Sequence, residues 1–252
     1  METATGALRQ VNSSVRHLAS SVWPDVASAD EPTLLVPLGS TEQHGPHLPF
    51  GTDSQIAEAV AARGLVAVSA QPGAPSCLLA PTVPYGASGE HEGFPGTVSI
   101  GTEALALLLL EFGRSACRWA SRLVFVNGHG GNAHALVSAV GRLRDEGRDV
   151  AWFPCMFDGA DAHAGRTETS VLLDISPSQV RMDRARPGDT RPIGELLDDL
   201  RAHGVAGVSP NGVLGDPTGA TAEAGKRDLS AAADRLSAAV LGWHVDQTGR
   251  LR

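Results

Sequence analysis

Leu123-Val124-Phe125-Val126-Asn127-Gly128-His129-Gly130-Gly131-Asn132 is the stretch that decides the fold of this 252-residue chain. Its first four residues are apolar, and three of them are β-branched or aromatic, as in a strand buried on both faces. They lead into a Gly-rich turn, after which the spacing predicts a helix from Ala133 to about Glu146 with Gly147 as its C-cap. A second run of the same kind, Thr33 to Leu38, feeds the loop Gly39 to Gly51. Thr52 with Gln55 three residues on then predicts a capping box, opening a helix with Ile56, Ala59 and Val60 on one stripe. Further along, Leu78 to Val83 and Thr97 to Ile100 read as short strands on either side of the segment Tyr85 to Gly96. Thr102 opens a helix to about Trp119 that is apolar on nearly every side, as for a helix buried between layers, with Cys117 and Trp119 in the core. Val150 to Phe153 is another strand; the loop Asp158 to Gly165 and a short helix from Glu168 to Asp174 follow. Residues 176–220 contain one helix-like piece, Glu195 to Arg201, and a last helix runs from Ala222 to His244. Strands alternating with helices predict an α/β fold, a single doubly wound domain with a largely parallel sheet flanked by helices. Residues 1–31 read as an N-terminal arm packing on the domain or on a neighbouring subunit, and residues 32–252 as the domain.

Composition narrows the function classes. Twenty basic against 28 acidic residues give a net charge of −8, which argues against nucleic acid or an anionic membrane as partner. Lys226 is the single lysine and sits in a polar stretch, so a Schiff-base mechanism has one poor candidate. Cys77, Cys117 and Cys155 are odd in number and lack a CxxC pair, which fits a reducing cytoplasm better than a disulfide framework. The N-terminal residues lack the apolar core of a signal peptide. The longest apolar run, Ala104 to Leu110, is far short of the roughly 20 residues that cross a bilayer. A soluble, cytoplasmic protein is expected.

In open α/β sheets, ligands collect where loops leave the carboxyl ends of the strands. Three such loops here carry the reactive residues: Glu42, His44, His47 and Asp53 after the first strand, His129 after the middle one, and Asp161, His163 and Glu168 after the later one. Imidazoles and carboxylates without cysteine form a donor set for Zn, Fe(II) or Mn, and the surplus of carboxylates suggests two divalent ions per subunit. In an extended loop Glu42 and His44 point the same way, toward adjacent ions, while Gln43 turns aside. Asp53 can bridge ions about 3.5–4 Å apart, a separation at which a shared hydroxide becomes a nucleophile at neutral pH. Each residue also has a plainer role open to it. Asp53 and Glu168 suit the first turns of helices, Asn132 an N-cap, and His129 a hydrogen-bonded turn. His17, His134, His203 and His244 lie outside these loops and read as surface or packing residues.

Gly39-Ser40-Thr41-Glu42-Gln43-His44-Gly45-Pro46-His47-Leu48-Pro49, Thr52-Asp53, Asn127 to Asn132, His163-Ala164-Gly165 and Glu168-Thr169-Ser170 together resemble the creatininase (creatinine amidohydrolase) family, over roughly residues 33–225. The resemblance implies a doubly wound α/β fold with a binuclear metal site. One ion would be held by Glu42 and His129, the other by His44 and a further carboxylate, with Asp53 bridging. Creatininase itself has a Tyr-Glu pair after the histidine and uses that Glu as a ligand; this chain has Gly130-Gly131, so the missing carboxylate is assigned to Glu168. The two glycines also widen the pocket and count against creatinine as substrate. His163 would protonate the leaving amine as general acid. Ser88, Glu90 and His91, in a Gly-flanked loop, line the substrate pocket or form a structural turn.

Within the family, Tyr85 to His91, Gly96 to Leu105, Arg122 to Asn132, His163 to Leu173 and Gly212 to Thr218 look most like a peptide-cleaving branch. That implies removal of a modified C-terminal Val-Tyr unit from a precursor peptide during redox-cofactor maturation. Hydrolysis of a small formamide or cyclic amide is the alternative. Family members assemble as homo-oligomers, so a homo-oligomer is expected here.

Overall fold

The computed structural model describes residues 15–252. Four strands, β1 (Thr33–Leu38), β2 (Cys77–Leu79), β3 (Arg122–Asn127) and β4 (Val150–Pro154), form one sheet in the order β2-β1-β3-β4. Every pairing is parallel. The helices are α1 (Trp23–Ala27), α2 (Thr52–Ser69), α3 (Gly101–Ala116), α4 (Ala133–Asp145), α5 (Arg166–Ile175), α6 (Ile193–Val208) and α7 (Ala222–Gly242).

Successive strand residues point to opposite faces, and both faces are covered. Leu35, Leu79, Val124, Val126, Ala151 and Phe153 pack with Ile56 and Val60 of α2, Val171 and Leu172 of α5, and Leu229 and Leu236 of α7. Leu34, Val36, Leu38, Leu123, Phe125 and Val150 pack on the other side with Leu105 and Leu109 of α3 and Leu136 and Val140 of α4. A fully buried leucine contributes roughly 2 kcal/mol through its apolar surface, so this two-sided burial is what makes the strands uninterrupted apolar runs. The chain leaves β1 toward β2 and returns past β1 to β3. The crevice between the carboxyl ends of β1 and β3 is therefore the switch point of a doubly wound sheet.

Several local expectations are corrected. Thr97 to Ile100 forms no strand, making only an isolated bridge between Thr41 and Val98, and the second strand is shortened to β2. Gly51 precedes α2 without a side-chain cap; the Thr52 hydroxyl donates to Pro49 O, and Gln55 reaches Gln179 and Ser176 instead of closing a capping box. Asn132 makes no capping hydrogen bond. Helix α3 is a surface helix, with Leu107 60% and Trp119 beyond its end 39% exposed. Its all-round apolarity is satisfied by the sheet on one side only. The helix-like piece at Glu195 to Arg201 extends to α6, across a kink at Gly204. Residues 1–14 of the expected arm lie outside the described residues. From Val15 onward the arm lies on the sheet edge, where Leu79 N donates to Arg16 O at 2.9 Å.

Helices α5 and α7 meet backbone to backbone at Gly225. A Cβ on Gly225 would fall 1.9 Å from Ser170 O, so only glycine allows this approach. Gly225→Ala is expected to destabilise the protein by about 2 kcal/mol through overpacking. That corresponds to a fall of roughly 4–8 °C in Tm on thermal denaturation. Gly219→Ala, where no atom lies within 4 Å, should leave Tm unchanged.

Candidate metal centre

The loop after β1 brings Glu42 and His44 to the switch point, the start of α2 adds Asp53, the turn after β3 adds His129, and the segment leading into α5 adds His163 and Glu168. Their donor atoms fall into three groups of metal-binding size: Glu42, Asp53 and His129; His44, Asp53 and Glu168; and Glu42, His44 and His163. The first two share Asp53, which places its Oδ2 3.3 Å from His129 Nδ1 and its Oδ1 3.0 Å from His44 Nε2. Glu168 Oε2 lies 3.8 Å from His44 Nε2, at the end of the centre away from His129.

Glu42 is completely buried, and neither of its carboxylate oxygens has a hydrogen-bond partner. Around Oε1 stand His129 Nδ1 at 3.2 Å, His91 Nε2 at 3.3 Å and His163 Nδ1 at 3.7 Å. A buried carboxylate with no donor is strongly disfavoured unless a cation compensates it. Together with the mixture of imidazole and carboxylate donors, that orphaned group makes these residues fit divalent metal ions.

The imidazoles are held from behind. His44 Nδ1 lies 3.1 Å from Glu42 O and His129 Nε2 3.2 Å from Ala87 O, so in each neutral ring the N–H goes to a backbone carbonyl and the other nitrogen turns its lone pair to the centre. Ser40 donates to Asp53 Oδ2 at 2.6 Å. Asn132 closes the framework, its Oδ1 accepting from Ala87 N while its Nδ2 donates to Gly39 O and Asn127 Oδ1.

Charge shapes the titration of the metal-free centre. Burial works against protonation of His44, but Asp53, Glu168 and Glu42 prevail and raise it to about 10. Burial likewise opposes charge on His129, which Glu42, Asp53 and Glu90 push well above the usual imidazole value. Asp53, despite burial, is held well below the carboxylate range by His44 and His129. Burial takes Glu168 up to about 7, against the pull of His44. His163 is driven well below the usual value by burial and by His44 and His91, and is neutral.

The remaining sequence candidates separate. Glu90 lines a cavity of about 470 Å³ with Gly89, Glu92, Ser99, Thr102 and Gly131. Its Oε1 is 3.5 Å from His129 Nε2. A Cβ on Gly131 would come within 2.8 Å of that oxygen and 2.4 Å of His129 Nε2, so Glu90 occupies the space a side chain two residues after His129 would claim. Ser88 is buried behind His129, 3.5 Å from its Nε2. His91 is buried among the histidines, its ring 4.4 Å from that of His163. Asp161 is not in the centre; its carboxylate accepts from the backbone of Arg166 and Thr167 at the start of α5. His47 turns to the Thr169 hydroxyl at 2.9 Å. His134, His203 and His244 are exposed. Sequence reasoning missed Gln43, Ser40 and the bracing role of Asn132; the position of Gln43 between two donor residues was the available signal.

A family model described as Creatinine amidohydrolase matches residues 19–240. The chain is 57% identical over 223 residues to the mycofactocin precursor peptide peptidase of Mycolicibacterium smegmatis, covering 87% of this chain and 89% of that one. It is 52% identical over 249 residues to the protein of the same name from Mycobacterium ulcerans, covering 97% and 95%. Among solved structures, "Creatininase Mn" superposes with a TM-score of 0.76 at 24% identity, covering 91% of this chain and 98% of that one.

Three outcomes are expected of the centre. Glu168→Gln removes a charge from the His44 end and should lower the metal content measured by mass spectrometry of the purified protein; full occupancy would place the ligand elsewhere. Metal uptake must displace protons from His44 and His129, so affinity should rise with pH, and calorimetry in buffers of different ionisation enthalpy should register proton release. At a hundredfold excess over Kd, each occupied site should add about 2.7 kcal/mol to stability, seen as a rise in Tm that chelation reverses.

Proposed function

The chain belongs to the creatininase family, and from that membership we propose that it cleaves the modified C-terminal Val-Tyr unit from the mycofactocin precursor peptide during redox-cofactor biosynthesis. At the coarser level the protein is a metal-dependent hydrolase of amide bonds. The observation that carries the reading is the pair of donor groups joined through Asp53, with the unpartnered Glu42 carboxylate between His129 and His163. The names of the relatives support the peptide as substrate.

Glu42, Asp53 and His129 would hold one ion, and His44, Asp53 and Glu168 the other, with Zn, Fe(II) and Mn all suited to the donors. The relevant chemistry in the solved relatives is named as Mn in one creatininase and as "Zn-Zn type" in a mutant creatininase. Bound divalent ions acidify water and polarise a carbonyl oxygen. The chain's own residues supply the rest. His163 donates Nε2–H to Gln43 O at 2.8 Å, which leaves the Nδ1 lone pair on the side of Glu42. Neutral at working pH, His163 accepts at Nδ1 the proton of the attacking water as its oxygen bonds to the scissile carbonyl carbon. It then returns that proton to the amine nitrogen as the C–N bond breaks, releasing a free carboxylate and the dipeptide. The role of general acid thus follows a preceding role as base.

The space at Gly131 is taken up by Glu90, Ala87 O and His129, but Gly130 is open, with no atom within 4 Å of a Cβ there, which supports an extended substrate over a small cyclic amide. The proposal includes a cytoplasmic location and a homo-oligomer. No helix among the described residues is long and apolar enough to cross a membrane. Leu107 and Leu108 of α3 present exposed apolar surface of the kind interfaces use.

Incubation of the metal-loaded protein with modified precursor peptide should release the dipeptide by mass spectrometry; turnover of a formamide with the peptide left intact would reject the peptidase reading for the small-amide alternative. His163→Ala should retain metal and lose about 10²–10⁴-fold in turnover. Loss of metal instead would make His163 a ligand, as the group it forms with Glu42 and His44 permits.

A further inference from the structure

Four imidazoles converge on this centre, and one of them is reversed. His44, His129 and His163 each set one nitrogen against a backbone carbonyl, of Glu42, Ala87 and Gln43 respectively, at 3.1, 3.2 and 2.8 Å. In the neutral rings those nitrogens carry the hydrogen, and the lone pair faces inward. His91 has no carbonyl behind it. Its outer nitrogen, Nδ1, lies 2.9 Å from the side-chain amide nitrogen of Gln43.

The orientation of that amide is fixed by its other contacts. Gln43 Oε1 accepts from Gly45 N at 2.8 Å, and Nε2 donates to Gly212 O at 3.0 Å. Interchanging oxygen and nitrogen would set N–H against N–H and oxygen against oxygen. The second amide hydrogen is therefore available to His91 Nδ1, which must accept it. His163 Nε2, 3.2 Å from the same amide nitrogen, is a donor already committed to Gln43 O, so that approach carries no hydrogen bond. With Nδ1 an acceptor, the proton of neutral His91 resides on Nε2, 3.3 Å from Glu42 Oε1. Gly212, at φ +78°, makes room for the arrangement, since a Cβ there would lie 1.9 Å from Gln43 Oε1.

We propose that Gln43 is a positioning residue that fixes His91 and His163 in opposite orientations, His91 turning its Nε2–H toward the Glu42 carboxylate, 3.3 Å away but outside hydrogen-bonding geometry, and His163 presenting an acceptor lone pair to the reacting water. His91 is thereby kept from ligating metal, in spite of its place among the donors, and steadies a ligand instead of contacting substrate. This assignment rests on the metal-centre reading and adds to it the residue that divides the histidines between tasks. It also explains why the glutamine stands between Glu42 and His44. Its side chain turns away from the ions, as the alternation of an extended loop requires, and reaches the histidines from behind.

The test is spectroscopic. Long-range ¹H–¹⁵N correlation spectra of the imidazoles, recorded on EDTA-treated and on Zn-loaded protein, report which nitrogen is protonated; His91 is assigned by the loss of its signals in His91→Gln. Expected is His91 as the Nε2–H tautomer in both states. In Gln43→Glu the donor to Nδ1 is replaced by an acceptor, so His91 should change to a ring protonated at Nδ1, while His163 keeps its Nε2–H because its partner is backbone. The Kd for Zn should rise about 10-fold or more in that variant, the usual effect of removing a partner that orients a ligand. An Nδ1-protonated His91 in the wild-type protein, or a His91 spectrum unchanged by Gln43→Glu, would overturn the proposal. Should the variant not fold, the wild-type spectrum decides alone. None of these readouts requires turnover, so a negative peptide assay and a failed tautomer assignment are separate results.

Discussion

The Glu42 carboxylate is buried to zero exposure and given no hydrogen-bond donor, and the rest of the centre is arranged around it. Leaving such a charge uncompensated is unfavourable by several kcal/mol, even after relaxation. The chain answers by surrounding it with three imidazoles and sharing Asp53 between its neighbours His44 and His129. In the absence of metal, protons on His44 and His129 carry part of the compensating charge. The chemistry of the site therefore suits a cation, which would take over the compensation that these protons supply.

Such a centre demands rigid placement of side chains from loops far apart in sequence. The parallel sheet supplies the first level of order, because β1 and β3 are adjacent and both end at the switch point. Asn132 supplies the second, tying the β1 loop through Gly39 O and the Tyr85 to His91 segment through Ala87 N. Backbone carbonyls then orient His44, His129 and His163, so each ring's inward nitrogen follows from the path of the main chain. Gly131 belongs to the same economy of space, because its missing side chain leaves room for Glu90 beside His129.

The strands were legible because burial on both faces leaves an unbroken apolar signature, seen in Leu34 to Val36 and in Leu123 to Val126. Thr97 to Ile100 has similar composition yet pairs through a single bridge, since edge pairing depends on a partner the local sequence does not encode. Apolarity misled at α3, whose Leu107 and Leu108 face outward in the single chain. Asp161 and His47 looked like rim residues but bind the start of α5, and their distinction from Glu42 and His44 is purely spatial. His91 was legible as a site residue without its role, which depends on the orientation of an amide 48 positions away.

By itself the sequence determined the doubly wound α/β framework and the donor chemistry of its rim, because periodicity and residue type are local properties. It also placed Glu42, His44, Asp53, His129, His163 and Glu168 on loops that such a sheet must gather at one end. Tertiary structure alone decided which donors share an ion's volume, that Glu168 stands at the His44 end while Glu90 takes the space beside Gly131, and which nitrogen of each imidazole faces inward. Those features are set by hydrogen bonds and close approaches between segments separated by tens of residues, and a hydrogen bond's direction is fixed only when both partners are in place.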